Sequence, residues 1–436
     1  MSSYKSFCPK KISNKNEIIP VLGIVMMLIS LPIKNIFVSI ATISFLVSSI
    51  FINRSRELNF QKAFFVPVVF FAIMTISLLW TKDFNASLAG LQKGLSFLVI
   101  PLVFFIVPKF SKESINKIFR GYGFAMVGYA IFYVAAACIY YNKTNDIDVF
   151  FNNSLVPLDP GAIYMSVFAS FGLFYFVQLD IKKNYEKIAL SIVALFIFLL
   201  SSKSIITIDF IIIICYYIYF SKIPYGTKVS TLLTVSLFLF FSIFYVRDVR
   251  NRFFNEYETA FVDNIFHFKS NNFVNKTHNV TIKEAWNKNK FSKNDFFPGT
   301  ALRIYQSRVY IEISNETKSF LTGLGLDASQ KFIKNKALRH NLNEEYGGYN
   351  FHNQYIQTLA EIGLFGFVIL IVMLFLNLKN GIKKKDFLHI AFAISMIVLF
   401  LSESFFCRQR GIVFFTLFYC LFNRFTYSEQ KSITLS

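Results

Sequence analysis

Apolar runs of 15 to 25 residues alternate with short, polar, lysine-rich breaks along most of this chain. A helix that crosses a bilayer needs about 20 largely apolar residues, within a range of roughly 17–25. The pattern therefore predicts twelve helices, near 18–33, 36–52, 63–80, 88–107, 120–141, 160–179, 187–202, 204–220, 228–246, 354–378, 387–404 and 411–425. The first run is followed almost at once by a second and lacks a small-residue cleavage site, so it reads as a span rather than a removable signal. The expected fold class is an all-α polytopic membrane protein with about twelve transmembrane helices. Its regions are a nine-helix part (1–246), one large extramembrane segment with short helices (247–353), and three C-terminal helices with a tail (354–436).

Composition sharpens the picture. The 436 residues are 54% hydrophobic and 16% charged, and 56 of them are Phe. A soluble domain carries about 25% charged residues. Five Cys, an odd number set mostly inside apolar runs, exclude a secreted disulfide scaffold. The net charge of +20 raises nucleic-acid binding, but the basic residues sit in short clusters between apolar stretches, so no nucleic-acid partner is expected.

Lys and Arg also orient the spans, because short cytoplasmic loops are enriched in them. One alternating set of loops, including both termini, holds 22 Lys/Arg; the opposite set holds six. Both termini are then cytoplasmic, and 247–353 lies outside. The six outer cations are Lys34, Lys82, Lys143, Lys203, Arg408 and Arg410, and Lys93 joins them from within the outer turns of its span.

The external segment carries the candidate chemistry. "TALRIYQSRVYIEISNETKSFLTGLGLDASQ" predicts a helix over Thr300–Glu316 followed by a turn at Gly323–Gly325. Further on, "FHNQYIQTLAEIGLFGF" re-enters the membrane. Asn353, Gln357 and Glu361 recur every four residues and share one helix face. Such a polar stripe must face protein or a wet cavity. His352 stands at the mouth of that cavity, or else His352 and Asn353 simply cap the helix. Arg303 and Arg308 lie about 140° apart around an ideal helix, which sends one to a pocket and the other elsewhere unless both are interfacial. Arg408 and Arg410 crowd a very short outer connection, where a structural pair with Glu403 competes with substrate binding. Asp209 is placed to partner Lys203 through a helical turn. Asp146 and Asp148 form a DxD triplet that reads as solvated loop. A Walker loop, HExxH, GxSxG and a metal-spaced Cys/His cluster are all lacking.

With these motifs on the page, the chain resembles the bacterial O-antigen ligase/polymerase family of integral-membrane glycosyltransferases. The likeness rests on an Arg-bearing helix, "GLGLDASQ" and "HNQYIQTLAEIGLFGF", with "LLWTKDFNASLAGLQKGLSFLVIPLVFF" earlier. It implies transfer of a glycan from an undecaprenyl-diphosphate carrier at the periplasmic face, inverting and without a metal or cofactor. The acceptor would be a lipid-linked repeat unit or lipid A-core. His352 becomes the expected catalytic base, and Arg303 or Arg308 the diphosphate-binding arginine. Lys93, Lys203, Asn353, Gln357, Glu361, Glu403, Arg408 and Arg410 become expected substrate-binding residues. Lys203 stands where relatives carry arginine, which keeps charge but loses the bidentate fork. Two other classes fit twelve spans: a polysaccharide or lipid-carrier transporter or flippase, for which an internal repeat is lacking, and an envelope-assembly scaffold, which has no need of a histidine beside outer arginines.

Overall fold

The computed structural model describes residues 15–52, 61–108, 110–158, 160–226, 228–230, 233 and 278–424. Helices dominate: α1 (Lys15–Ser30), α2 (Asn35–Ile52), α3 (Lys62–Ile76), α4 (Phe84–Gly94), α5 (Ser96–Ile106), α6 (Lys112–Thr144), α7 (Ala162–Val177), α8 (Asn184–Leu199) and α9 (Lys203–Tyr219). After residue 278 come α10 (Ile282–Asn287), α11 (Gly299–Thr317), α12 (Ser329–Arg339), α13 (Gln354–Lys384), α14 (Phe387–Leu399) and α15 (Gln409–Arg424). The described strands are β1 (His278–Asn279) and β2 (Asp295–Phe296), a two-residue parallel pair. Every expected apolar run except 228–246 falls on a helix; that run lies outside the described residues apart from 228–230 and 233.

Among the described residues, four helical stretches are long and apolar enough to cross a membrane: Lys62–Leu79, Phe84–Ile106, Lys112–Thr144 and Gln354–Lys384. Outward faces of α1 and α2 show Ile, Phe and Val to the surroundings, among them Ile43 and Phe51. A patch of that kind marks a lipid-facing surface. The centre is built differently. All of α7 but Ile163, and all of α15 but Gln409, is buried. A helix apolar all round belongs in the middle of a bundle. Phenylalanine joins the two: Phe168–Phe414 at 5.1 Å and Phe171–Phe418 at 5.2 Å between ring centroids, with Phe392 of α14 against Phe418 at 5.6 Å. Each such pair contributes about 0.5–1.5 kcal/mol beyond area burial, which gives the abundant Phe its structural role.

A second, smaller core lies within the described part of 247–360. Tyr305, Val309 and Ile313 of α11 pack with Phe291, Phe297, Ile333, Ala337 and Phe351. Ala360 of α13 belongs to the same cluster, so this cap is built onto the helix that re-enters the membrane.

That re-entry helix is broken on purpose. Gly363, inside α13, has φ 69° and ψ −167°, a conformation open essentially to glycine alone. The kink frees two carbonyls, and the glycine turn of the cap takes them: Leu324 N donates to Ala360 O at 2.8 Å and Gly325 N to Glu361 O at 2.9 Å. In return Leu364 N donates to Phe320 O at 3.1 Å. The same turn grips the α3–α4 corner. Trp80 Nε1 donates to Thr322 O (2.8 Å), Lys82 N to Leu324 O (2.8 Å) and Ser87 Oγ to Leu326 O (2.6 Å). Two sequence motifs more than 200 residues apart thus meet at one seam.

Candidate functional site

The helix expected over Thr300–Glu316 is α11, Gly299–Thr317, and its two arginines go separate ways. Arg308, 12% exposed, is held inside the cap: Nε donates to Glu312 Oε1 at 2.7 Å, Nη1 to Lys288 O at 2.8 Å and Nη2 to Asn289 Oδ1 at 2.9 Å. Glu312 also takes Lys336 at 2.9 Å and His340 at 3.3 Å. Burial favours a neutral Glu312, but the Lys336, His340 and Arg308 partners outweigh it and hold the carboxyl below its usual range. Lys336, chiefly, does the same to Glu316. His340 is a strut between Tyr305 Oη (2.9 Å from Nδ1) and Glu312, and burial lowers its pKa despite that carboxylate. Arg303 instead leaves the cap and donates Nε to the Ser402 carbonyl at 3.0 Å.

Residues 400–406, the connection between α14 and α15, are fastened to the start of α13. Gln354 N donates to Phe400 O at 2.8 Å, Asn353 N to Ser404 Oγ at 3.1 Å, and Phe406 N to Gln354 Oε1 at 2.7 Å. Asn353 caps α13, its Oδ1 accepting from Tyr355 N and Ile356 N. The capping role weighed for this residue is what its contacts display. His352 does not cap. It takes φ 47°, a left-handed conformation, with its N–H on Asn350 Oδ1 at 2.8 Å. Its ring is turned to Glu403, Nδ1 standing 3.7 Å from Oε2, and to the edge of Tyr349 at 5.6 Å. The imidazole is 27% exposed and the Glu403 side chain 10%.

The polar stripe on α13 faces protein. Gln357 Oε1 accepts from Phe351 N at 3.2 Å and Ser404 Oγ at 3.4 Å; its Nε2 donates to Ser329 Oγ at 3.3 Å and to Glu361. Lys93 sits in the last turn of α4 and pairs with Asp327 of the glycine turn. Lys93, Gln357 and Glu361, expected to touch substrate, therefore meet as neighbours around a void of about 20 Å³, the size of one water. They brace the seam. Asp327 and Ser329 were passed over in the sequence because their partners lie on distant helices; the "DAS" after the glycine turn is the signal that marks them.

A larger opening lies between α9 and α14. It has about 420 Å³ and an apolar wall from Ile208, Ile211, Ile394 and Val398. Lys203 and Ser402 form part of its rim, and Ser402 carries Arg303 on its carbonyl. Asp209 is not turned to Lys203; it accepts from Ser170 Oγ at 2.5 Å. Arg408 lies over the Tyr164 ring at 5.3 Å, and Tyr164 stacks on Phe405 at 4.8 Å. Arg410, 1% exposed, reaches Asn35 Oδ1 at 3.1 Å. Asp146 and Asp148 close a local turn, Asp148 N on Asp146 Oδ1 at 2.9 Å. Among the described residues no group of three His, Cys, Asp or Glu is placed to hold a metal ion.

A helical bundle with lipid-facing apolar sides, capped by a segment whose Arg303 reaches the rim of a lateral groove, defines an integral-membrane protein. Residues 188–371 match the profile of the family described as O-antigen ligase, so this stretch of the chain is similar to that family. The matched stretch includes Lys203, the whole described cap, His352 and the Gly363 seam. No curated protein matches the chain.

Proposed function

We propose that this protein is a glycosyltransferase of surface polysaccharide synthesis, taking a glycan from an undecaprenyl-diphosphate carrier and joining it to an acceptor hydroxyl at the periplasmic face. It works as an O-antigen polymerase or an O-antigen ligase, with a lipid-linked repeat unit or lipid A-core as acceptor. The observation that carries this reading is the lateral groove, apolar along its wall and cationic at its rim, whose Ser402 is the chain neighbour of the Glu403 that His352 faces. Its wall suits a polyprenyl tail, and Lys203 and Arg303 suit a diphosphate. The Lys/Arg asymmetry of the loops favours the orientation with cap and groove outside.

In the reaction the acceptor hydroxyl oxygen attacks the anomeric carbon while the bond from that carbon to the diphosphate oxygen breaks. His352 takes the hydroxyl proton as general base. Undecaprenyl diphosphate leaves with the bond electrons, and the fixed cations stabilise the charge gathering on it. One direct displacement inverts the anomeric centre. The cations do the work a metal would do, so the reaction is metal-independent.

His352→Asn tests the reading. Asn tolerates a left-handed conformation well, so the bend at φ 47° and the cap on α13 survive. Asn is no base at neutral pH, and a general base contributes about 10²–10⁴-fold. Transfer in vitro from a lipid-linked donor should fall by that factor at unchanged donor affinity. Transfer at the parent rate would remove His352 from the mechanism.

A further inference from the structure

We infer that Glu403 is a positioning residue for His352, fixing which ring nitrogen carries the proton, rather than a substrate ligand. The inference rests on the reading of His352 as the base. It begins with the rigidity of the carboxylate's surroundings. Residues 400, 404 and 406 are each hydrogen-bonded to Asn353 or Gln354, and Asn353 Nδ2 donates to Leu401 O at 3.3 Å. Glu403 therefore has little freedom relative to the residue next to His352. A base works best when its own rotamer is locked by neighbours of this kind.

The imidazole is directed at Glu403 through Nδ1, at 3.7 Å. That separation is within ion-pair reach and tightens readily to a hydrogen bond once substrate closes the site, as catalytic contacts commonly do. A carboxylate on one nitrogen draws the proton there and leaves the other, Nε2, with its lone pair free. Nε2 is then the atom that accepts the hydroxyl proton, and Glu403 stabilises the imidazolium that results. Tyr349 closes one side of the ring with its edge. The cations of this corner have other engagements: Arg303 on the Ser402 carbonyl, Arg408 over Tyr164 and Arg410 on Asn35. Glu403 thus faces His352, and as a carboxylate it would repel a diphosphate rather than bind it.

The test compares Glu403→Gln, an isosteric change, and Glu403→Asp with the parent protein in nanodiscs. Loss of the carboxylate should lower kcat about ten- to a thousandfold with the KM for lipid-linked donor nearly unchanged, and Asp should recover part of the loss. A second readout does not need activity. With ¹⁵N-labelled histidine, the His352 signals (assigned by their absence in His352→Asn) should show a predominant Nδ1–H tautomer that becomes mixed in Glu403→Gln. An unchanged kcat, a loss confined to KM, or an unaltered tautomer overturns the inference. Failure of the parent reading shows elsewhere, as His352→Asn that still transfers, so the two are told apart.

Discussion

Replacing Arg308 by Ala asks whether the cap or the substrate owns that side chain. The guanidinium makes three hydrogen bonds, to Glu312, the Lys288 carbonyl and Asn289, at 2.7–2.9 Å. Hydrogen bonds involving a charged group are worth about 1.5–3 kcal/mol each, and three on one side chain do not add fully. Glu312 keeps Lys336 and His340, whereas the Lys288 carbonyl is left without this donor. A loss of about 2–4 kcal/mol in the stability of the cap follows. Arg303→Ala removes a hydrogen bond to the Ser402 carbonyl at the groove rim and should cost less stability than Arg308→Ala, while lowering donor affinity and transfer more than tenfold. Thermal melting and limited proteolysis in nanodiscs, read beside donor binding for both variants, separate the two. If Arg308→Ala melts like the parent yet loses donor, the division of labour drawn from these contacts is wrong.

Gly363→Ala forces a Cβ into the Leu321 carbonyl on a backbone that already costs about 1–3 kcal/mol for any other residue; protease nicking between residues 318 and 328 should rise, and unchanged resistance would count against the seam. Acid should loosen the cap. Glu312, Glu316 and His340 all have lowered pKa values, so their contribution is complete above the unfolded values and fades as pH falls, from about 6.5 for the imidazole and about 4.5 for the carboxylates. Melting temperature measured from pH 8 to pH 4 should decline in that order, and a rise on acidification contradicts the assignment. Transfer assayed with excess chelator should persist; activity that disappears and returns with Mg²⁺ or Mn²⁺ would return Asp146 and Asp148 to consideration.

Helix positions were legible because apolar periodicity is a local property. α11 begins and ends within one residue of its expectation, and α7 and α9 start within two residues of theirs. α13 runs on to Lys384, six residues past the apolar run, since lysines leaving a membrane prolong a helix without any hydrophobic signal. The kink was hidden. "EIGLFGF" contains two glycines, and only the carbonyls offered to a distant turn distinguish Gly363 from Gly366. Lys93 was read as a cation awaiting substrate because Asp327 is 234 positions away and nothing local announces it. Helix geometry foretold that Arg303 and Arg308 diverge; that Arg303 is the one to reach the Ser402 carbonyl depends on tertiary packing.

The join between the glycine turn and α13 is written almost wholly in main-chain atoms. Such a hinge-plate is blind to side-chain identity except at Gly323, Gly325 and Gly363, where there is no room for one. Evolution can therefore repaint the residues above it, exchanging Arg for Lys at the groove rim or rebuilding the cap surface, without resetting the angle at which the cap stands on α13. A fold jointed in this way can change the face it presents while keeping one frame, since the atoms on that face and the atoms that hold the frame are different.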